Sequence, residues 1–182
     1  MILASRSPQR RAILEQLGVS FRVDAPEVDE LATGEPRGLV RENALRKARA
    51  VEPRGERVLG ADTAVVLDGR VFGKPGDEAE AETFLRRLSG RTHEVMSGIA
   101  LREPDGAERS DVAVTRVRFR RLEPPDLAWY LATGEWRERA GAYAIQGRGA
   151  ALVEEIGGDY WNVVGLPVAA LLRLAPDLLG GR

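Results

Sequence analysis

The 182-residue sequence contains no cysteine, a single histidine and only two lysines. It also has no apolar run long enough to cross a membrane. Without cysteine there is no disulfide, no thiolate nucleophile and no cysteine zinc site. One histidine, His93, cannot make a multi-histidine metal centre, so any bound metal must use oxygen ligands. His93 directly follows a helix stop and reads as structural. A formal net charge of -1 argues against a broad nucleic-acid surface, so no nucleic-acid partner is expected. The chain runs from Met1 straight into a strand and then arginines, with no apolar leader, which predicts a cytoplasmic protein with no membrane partner. Neither a P-loop nor a GxGxxG opening a βαβ unit occurs.

The scarcity of lysine is informative. Among 27 cationic residues only Lys47 and Lys74 are lysines, so nearly every surface cation is arginine. A compact ammonium is needed where a wide guanidinium fork cannot fit, beside phosphate oxygens or a carboxylate at a reacting centre. Both lysines are therefore candidate site residues.

A hydrophobic content of 43% suffices for a proper core, in one domain spanning residues 1–182 or two lobes sharing one sheet. Alternating element types indicate a mixed α/β protein. A strand at residues 2–4 precedes a helix at residues 8–17, with Ser7 as N-cap, Pro8 at its first position and Gly18 as its stop. A second helix is expected over residues 39–51, with Val40, Ala44, Ala48 and Val51 as its buried stripe and Lys47 at the stripe's edge. Two β-rich runs meet at Asp68-Gly69, a hairpin signal. The helix "DEAEAETFLRRLSG", two long strands, and a short helix from Pro125 follow. A glycine-rich loop between two short strands and a helix near Pro167 complete the pattern. The candidate lobe boundary falls around residues 76–91.

Charge at the first helix is unusual. Arg10 and Arg11 lie in its first turn, where the macrodipole is already positive. Either a phosphate at that N-terminus removes the conflict, or the arginines splay into solvent. An ideal Asp68-Gly69 turn sets Lys74 opposite Thr63, and a bulge at Gly73 would bring Lys74 to the same edge as Asp62. The acidic stretch "PEVDE" offers Glu30, which with Asp62 could supply oxygen ligands to Mg²⁺ or Mn²⁺, while Glu27 and Asp29 read as solvated. Gln146 in "YAIQGRGA" can donate to and accept from a base edge. These features together describe a nucleotide site.

Six blocks in order, "LASRSPQRR", "GADT", "GKP", "LSGRTHEV", "AGAYAIQGRGA" and "GDYWNVVGLP", resemble the Maf family of nucleoside triphosphate pyrophosphatases, once described as septum formation inhibitors. The resemblance implies a mixed twisted sheet flanked by helices, with two lobes and a central cleft, as in inosine triphosphate pyrophosphatase-like folds. It implies divalent-metal dependence, hydrolysis of a triphosphate to monophosphate and pyrophosphate, and a homodimer in many members. Carried over by motif, Ser7 and Arg10 would bind phosphate, Glu30, Lys47 and Lys74 would line the cleft, and Asp62 would accept a proton. Thr63 and Gln146 resemble the branch acting on dTTP and UTP rather than that acting on 7-methyl-GTP. Gln9 departs from that branch, which commonly has arginine there, and "EWRERAG" departs from the usual "EPxDKAG". A nucleotide-binding regulator of cell division with little turnover is the contrasting expectation.

Overall fold

A computed structural model describes residues 1–180. In chain order the elements are β1 (Ile2–Leu3), α1 (Pro8–Gln16), β2 (Arg22–Val23), α2 (Pro36–Arg49), β3 (Val58–Leu67), β4 (Arg70–Phe72) and α3 (Glu78–Leu88). They continue with β5 (Thr92–Arg102), β6 (Glu108–Phe119), α4 (Pro124–Leu131), β7 (Val153–Gly157), α5 (Tyr160–Val164) and α6 (Val168–Leu174). The seven strands form one mixed sheet in the order β2-β1-β3-β5-β6-β7, with β4 beside β3. Strands β2, β1 and β3 are parallel, and the remaining pairings are antiparallel.

Strand alternation assigns the faces. On β3 and β5, Val58, Ala64, Val66, Met96 and Ala100 pack under α2, against Leu39, Val40, Ala44 and Ala48. The opposite face carries two apolar clusters. Leu59, Ala61, Ile99 and Leu101 pack with Ile13 and Leu14 of α1 and Ala170 and Leu171 of α6. Val65, Val95, Val117 and Phe119 pack with Leu85 of α3, Leu127 and Tyr130 of α4, and Trp136. Between the clusters, the same face presents Thr63, Ser97 and Thr115, a polar seam crossing three strands. The seam separates the two apolar clusters, and the buried residues of α3 all belong to the second of them.

Helix α2 lies unusually close to the sheet. A Cβ added to Gly60 would stand 2.1 Å from the Ala44 carbonyl oxygen, and one added to Gly98 would stand 2.2 Å from that of Val40. Only glycine at both positions lets helix and sheet backbones touch. The helix begins earlier than its apolar stripe implies, because Glu35 caps it, accepting from the backbone N–H groups of Arg37 (3.0 Å) and Gly38 (2.8 Å). Capping chemistry, invisible to periodicity, added the first turn.

The hairpin has the expected register, Leu67 facing Arg70 and Val65 facing Phe72, with Asp68 and Gly69 both at positive φ. The glycine-rich segment holds two 3-10 turns, Ala140–Ala142 and Arg148–Leu152, and only one strand, β7, rather than the two expected. "DYWNVVG" is instead the short helix α5, capped by the Asp159 carboxylate on the Trp161 N–H at 2.8 Å. Among the described residues no helix is long and apolar enough to cross a membrane.

His93 is buried, 1% exposed, with Nε2 2.9 Å from the Tyr143 hydroxyl and edge-to-face contacts to Phe119 and Tyr143. Burial pushes its pKa down to about 4. The unfolded chain then takes up a proton at a higher pH than the folded one, so stability falls as pH drops from about 6.5 towards about 4. By pH 5 the loss is about 2 kcal/mol. Urea unfolding of wild type and His93→Gln at pH 7.5 and 5 checks this: the difference between the two pH values should shrink in the variant. Gly98→Ala, which pushes α2 off the sheet, should cost about 2–4 kcal/mol in the same assay.

Candidate functional site

Strand β3 has an unpaired stretch of edge. On the side away from β5, β1 pairs with it only at Val58 and Leu59, and β4 only from Val65 onwards. Residues 61–64 therefore have no strand partner on that side, and both faces of β3 open onto the same window. Asp62 faces α2 and Thr63 faces α1 and α5.

On the α2 side, the Lys47 ammonium lies 2.7 Å from Asp62 Oδ1 and 3.0 Å from Glu30 Oε1. The Lys47 and Asp62 side chains are only 14% and 13% exposed, so this pair is held away from bulk solvent. Asn43, one helical turn before Lys47, donates from Nδ2 to Asp62 Oδ2 at 3.1 Å. Each Asp62 oxygen thus accepts one hydrogen bond from protein and keeps lone-pair capacity for another. Glu27 and Asp29 are exposed and stand apart from this cluster, as solvated groups do.

On the other side, Arg10 neither splays into solvent nor faces outward from the helix end. Its guanidinium turns inward at 8% exposure, donating from Nη1 to Ser5 Oγ (2.9 Å), from Nε to the Gly165 carbonyl (2.9 Å) and from Nη2 to Thr63 Oγ1 (3.1 Å). Burial lowers its pKa, opposed by the negative charges of Asp62 and Glu30. Two of the five guanidinium N–H groups keep no bond among these three. Thr63 Oγ1 lies 2.9 Å from Ser97 Oγ, which ties the seam across to β5. Ser7 caps α1 weakly, accepting from the Arg10 N–H at 3.5 Å, and donates its own hydroxyl to Gln9 Oε1 at 3.1 Å. Arg11 is exposed, and Arg6 lies 4.0 Å from Glu27.

Lys74 departs from expectation. The ladder ends at Phe72, the Gly73 carbonyl accepts from the Gly141 N–H at 3.1 Å, and the chain leaves the sheet. Lys74 therefore does not pair with Asp62. Its ammonium, 63% exposed, bridges to Glu138 at 2.7 Å. Gln146 is exposed on the loop beyond. Glu135, whose Oε2 accepts from the Gly149 N–H at 3.4 Å, supports that loop where Gly147 leaves no Cβ to obstruct it.

Periodicity did not single out Asn43, Ser5, Ser97 or the Gly165 carbonyl. Asn43 left one trace: an amide four residues before Lys47, among the buried positions of α2. Ser97 became visible only through its pairing with Thr63.

The mixed sheet flanked by helices is a fold shared with a HAM1 protein from Coxiella burnetii, which superposes with a TM-score of 0.50 at 22% identity, covering 83% of this chain and 89% of that one. The chain belongs to the Maf family, whose Maf-like protein description matches residues 1–178. A dTTP/UTP pyrophosphatase of Symbiobacterium thermophilum is 55% identical over 178 residues, covering 96% of this chain and 91% of that protein. One from Thermus thermophilus is 47% identical over 175 residues, covering 96% and 92%.

The inward fork of Arg10 makes a stability statement. Arg10→Lys cannot serve three separated acceptors and should lower unfolding free energy by about 1–3 kcal/mol. An unchanged urea midpoint would show that these bonds do not hold α1 to α5 and β3.

Proposed function

We propose that the protein hydrolyses dTTP and UTP to the monophosphate and pyrophosphate. The observation that carries this reading is Asp62, a shielded carboxylate with capacity left on both oxygens, at an open sheet edge between two groups of cations. The 55% identical relative named dTTP/UTP pyrophosphatase supports the choice of substrate.

In this reading water attacks the α-phosphorus, its proton passes to Asp62, and the bond from the α-phosphorus to the bridging oxygen breaks to release pyrophosphate. Lys47 sets its positive charge against Asp62 and Glu30. The two unbonded N–H groups of Arg10, the first-turn amides of α1 beside Ser7, and Lys74 from the opposite rim supply positive charge for the phosphates. Thr63, fixed by Arg10 and Ser97, and the free amide of Gln146 read the base, and Gln9 tunes the α1 end through its bond from Ser7.

Glu30 and Asp62 converge on one ammonium, and among the described residues no cluster of three or more acidic, His or Cys side chains exists. Two carboxylates without a full cage suit Mg²⁺ or Mn²⁺, which keeps water and substrate phosphates as its other ligands. Glu30 and Asp62 would hold the ion, and when bound it would neutralise phosphate charge.

The test is pyrophosphate release from dTTP, UTP, CTP, 7-methyl-GTP and the standard purine triphosphates, with Mg²⁺, with Mn²⁺ and with chelator. Expected are turnover of dTTP and UTP, loss of turnover in chelator, and a drop of about 10²–10⁴-fold in Asp62→Asn. Preference for 7-methyl-GTP would instead assign base choice against Thr63 and Gln146, and a folded protein without turnover would leave a nucleotide-binding regulator.

A further inference from the structure

We infer that Asn43 is a positioning residue for this hydrolysis, setting Asp62 and the loop carrying Glu30 in one fixed relation. The inference rests on the pyrophosphatase reading above. Asn43 is 1% exposed on α2, and its amide makes three hydrogen bonds. Oδ1 accepts from the Leu31 N–H at 2.7 Å, and Nδ2 donates to the Leu31 carbonyl at 3.1 Å. Nδ2 also donates to Asp62 Oδ2 at 3.1 Å.

The two bonds to Leu31 reproduce, from a side chain, the N–H and C=O pairing of a β-bridge. They anchor a segment that has no strand or helix of its own, and whose Leu31 side chain is exposed. Glu30 is the residue immediately before Leu31. The third bond reaches the other carboxylate of the cluster, so a single amide spans both. Lys47 supplies the charge between these carboxylates, but an ammonium on a four-carbon stem fixes no orientation. The planar amide does, because its donor and acceptor directions are set by its plane. No hydrophobic residue of similar volume can do this: it would leave the Leu31 N–H and carbonyl without their partner.

Removing the amide should therefore affect the chemical step more than nucleotide binding. The experiment measures kcat and KM for dTTP in wild type, Asn43→Ala, Asn43→Asp, Asp62→Asn and the Asn43→Ala/Asp62→Asn double variant. Amide hydrogen exchange at Leu31 is followed in the wild-type protein. Asn43→Ala and Asn43→Asp should lose about 10-fold or more in kcat, with KM within about 3-fold of wild type. In the Asp62→Asn background, Asn43→Ala should cost less than it does in the wild-type background, because one of the two carboxylates it positions is already altered. A merely structural defect would cost the same in both backgrounds. The wild-type Leu31 amide should exchange more slowly than its exposed neighbours, a readout that survives even if an Asn43 variant does not fold. A kcat within about 2-fold of wild type in folded Asn43→Ala, equal losses in both backgrounds, or an unprotected Leu31 amide would each overturn the inference while leaving the pyrophosphatase reading intact. Absence of turnover in wild type would overturn both.

Discussion

The site depends on how close α2 comes to the sheet. Gly60 and Gly98 let the carbonyls of Ala44 and Val40 sit where side chains would otherwise stand. That approach brings Asn43 and Lys47, on the same side of α2, onto Asp62 of β3. A helix held further from the sheet would leave a short carboxylate beyond the reach of an asparagine. Two missing methyl groups thus allow an aspartate and an asparagine, both short side chains, to meet directly. The long lysine completes the cluster from one turn further on.

The second constraint is the unpaired edge of β3. Neighbours on a strand point to opposite faces, so Asp62 and Thr63 belong to different layers of the molecule. In a fully paired central strand they could not share a ligand. Because β1 ends at Leu3 and β4 begins to pair only at Val65, the backbone between them is a gap through which both faces are reachable. The polar seam of Thr63, Ser97 and Thr115 ends at this gap, and buried Asn162 anchors α5 to the seam by donating to Val95 O (2.9 Å) and Thr115 Oγ1 (3.0 Å). From there the Gly165 carbonyl at the end of α5 holds Arg10.

The pattern of what was legible follows from the range of the forces involved. The hairpin register, the cap at Ser7 and the α2 stripe are local, so sequence spacing located them. The prominence of Lys47 was compositional, and its ammonium lies on Asp62 and Glu30. Arg10 was legible as an anomaly but not in its solution: the conflict with the helix dipole is relieved by acceptors from residues 5, 63 and 165, which no local pattern brings together. The same holds for Lys74. An ideal ladder extrapolated past Phe72 places it by Thr63, whereas the Gly141 N–H captures the Gly73 carbonyl and turns the chain away. Helix α5, five residues among glycines, depends on its Asp159 cap and on Asn162 for its existence, and carries too little periodicity to be seen.

The two lysines, alike in sequence terms, differ physically. Lys74 and Glu138 are 63% and 79% exposed, and a pair so well hydrated is worth about 0–1 kcal/mol, so either partner is released at little cost. Lys47 and Asp62 are 14% and 13% exposed, and breaking a shielded pair by removing one partner costs about 3–5 kcal/mol because the other is left uncompensated. Lys74 can leave its carboxylate at little cost, and Lys47 cannot. The difference also accounts for their placement: a mobile charge sits on a rim where the chain has left the sheet, and a fixed charge sits on a helix that two glycines lock against it.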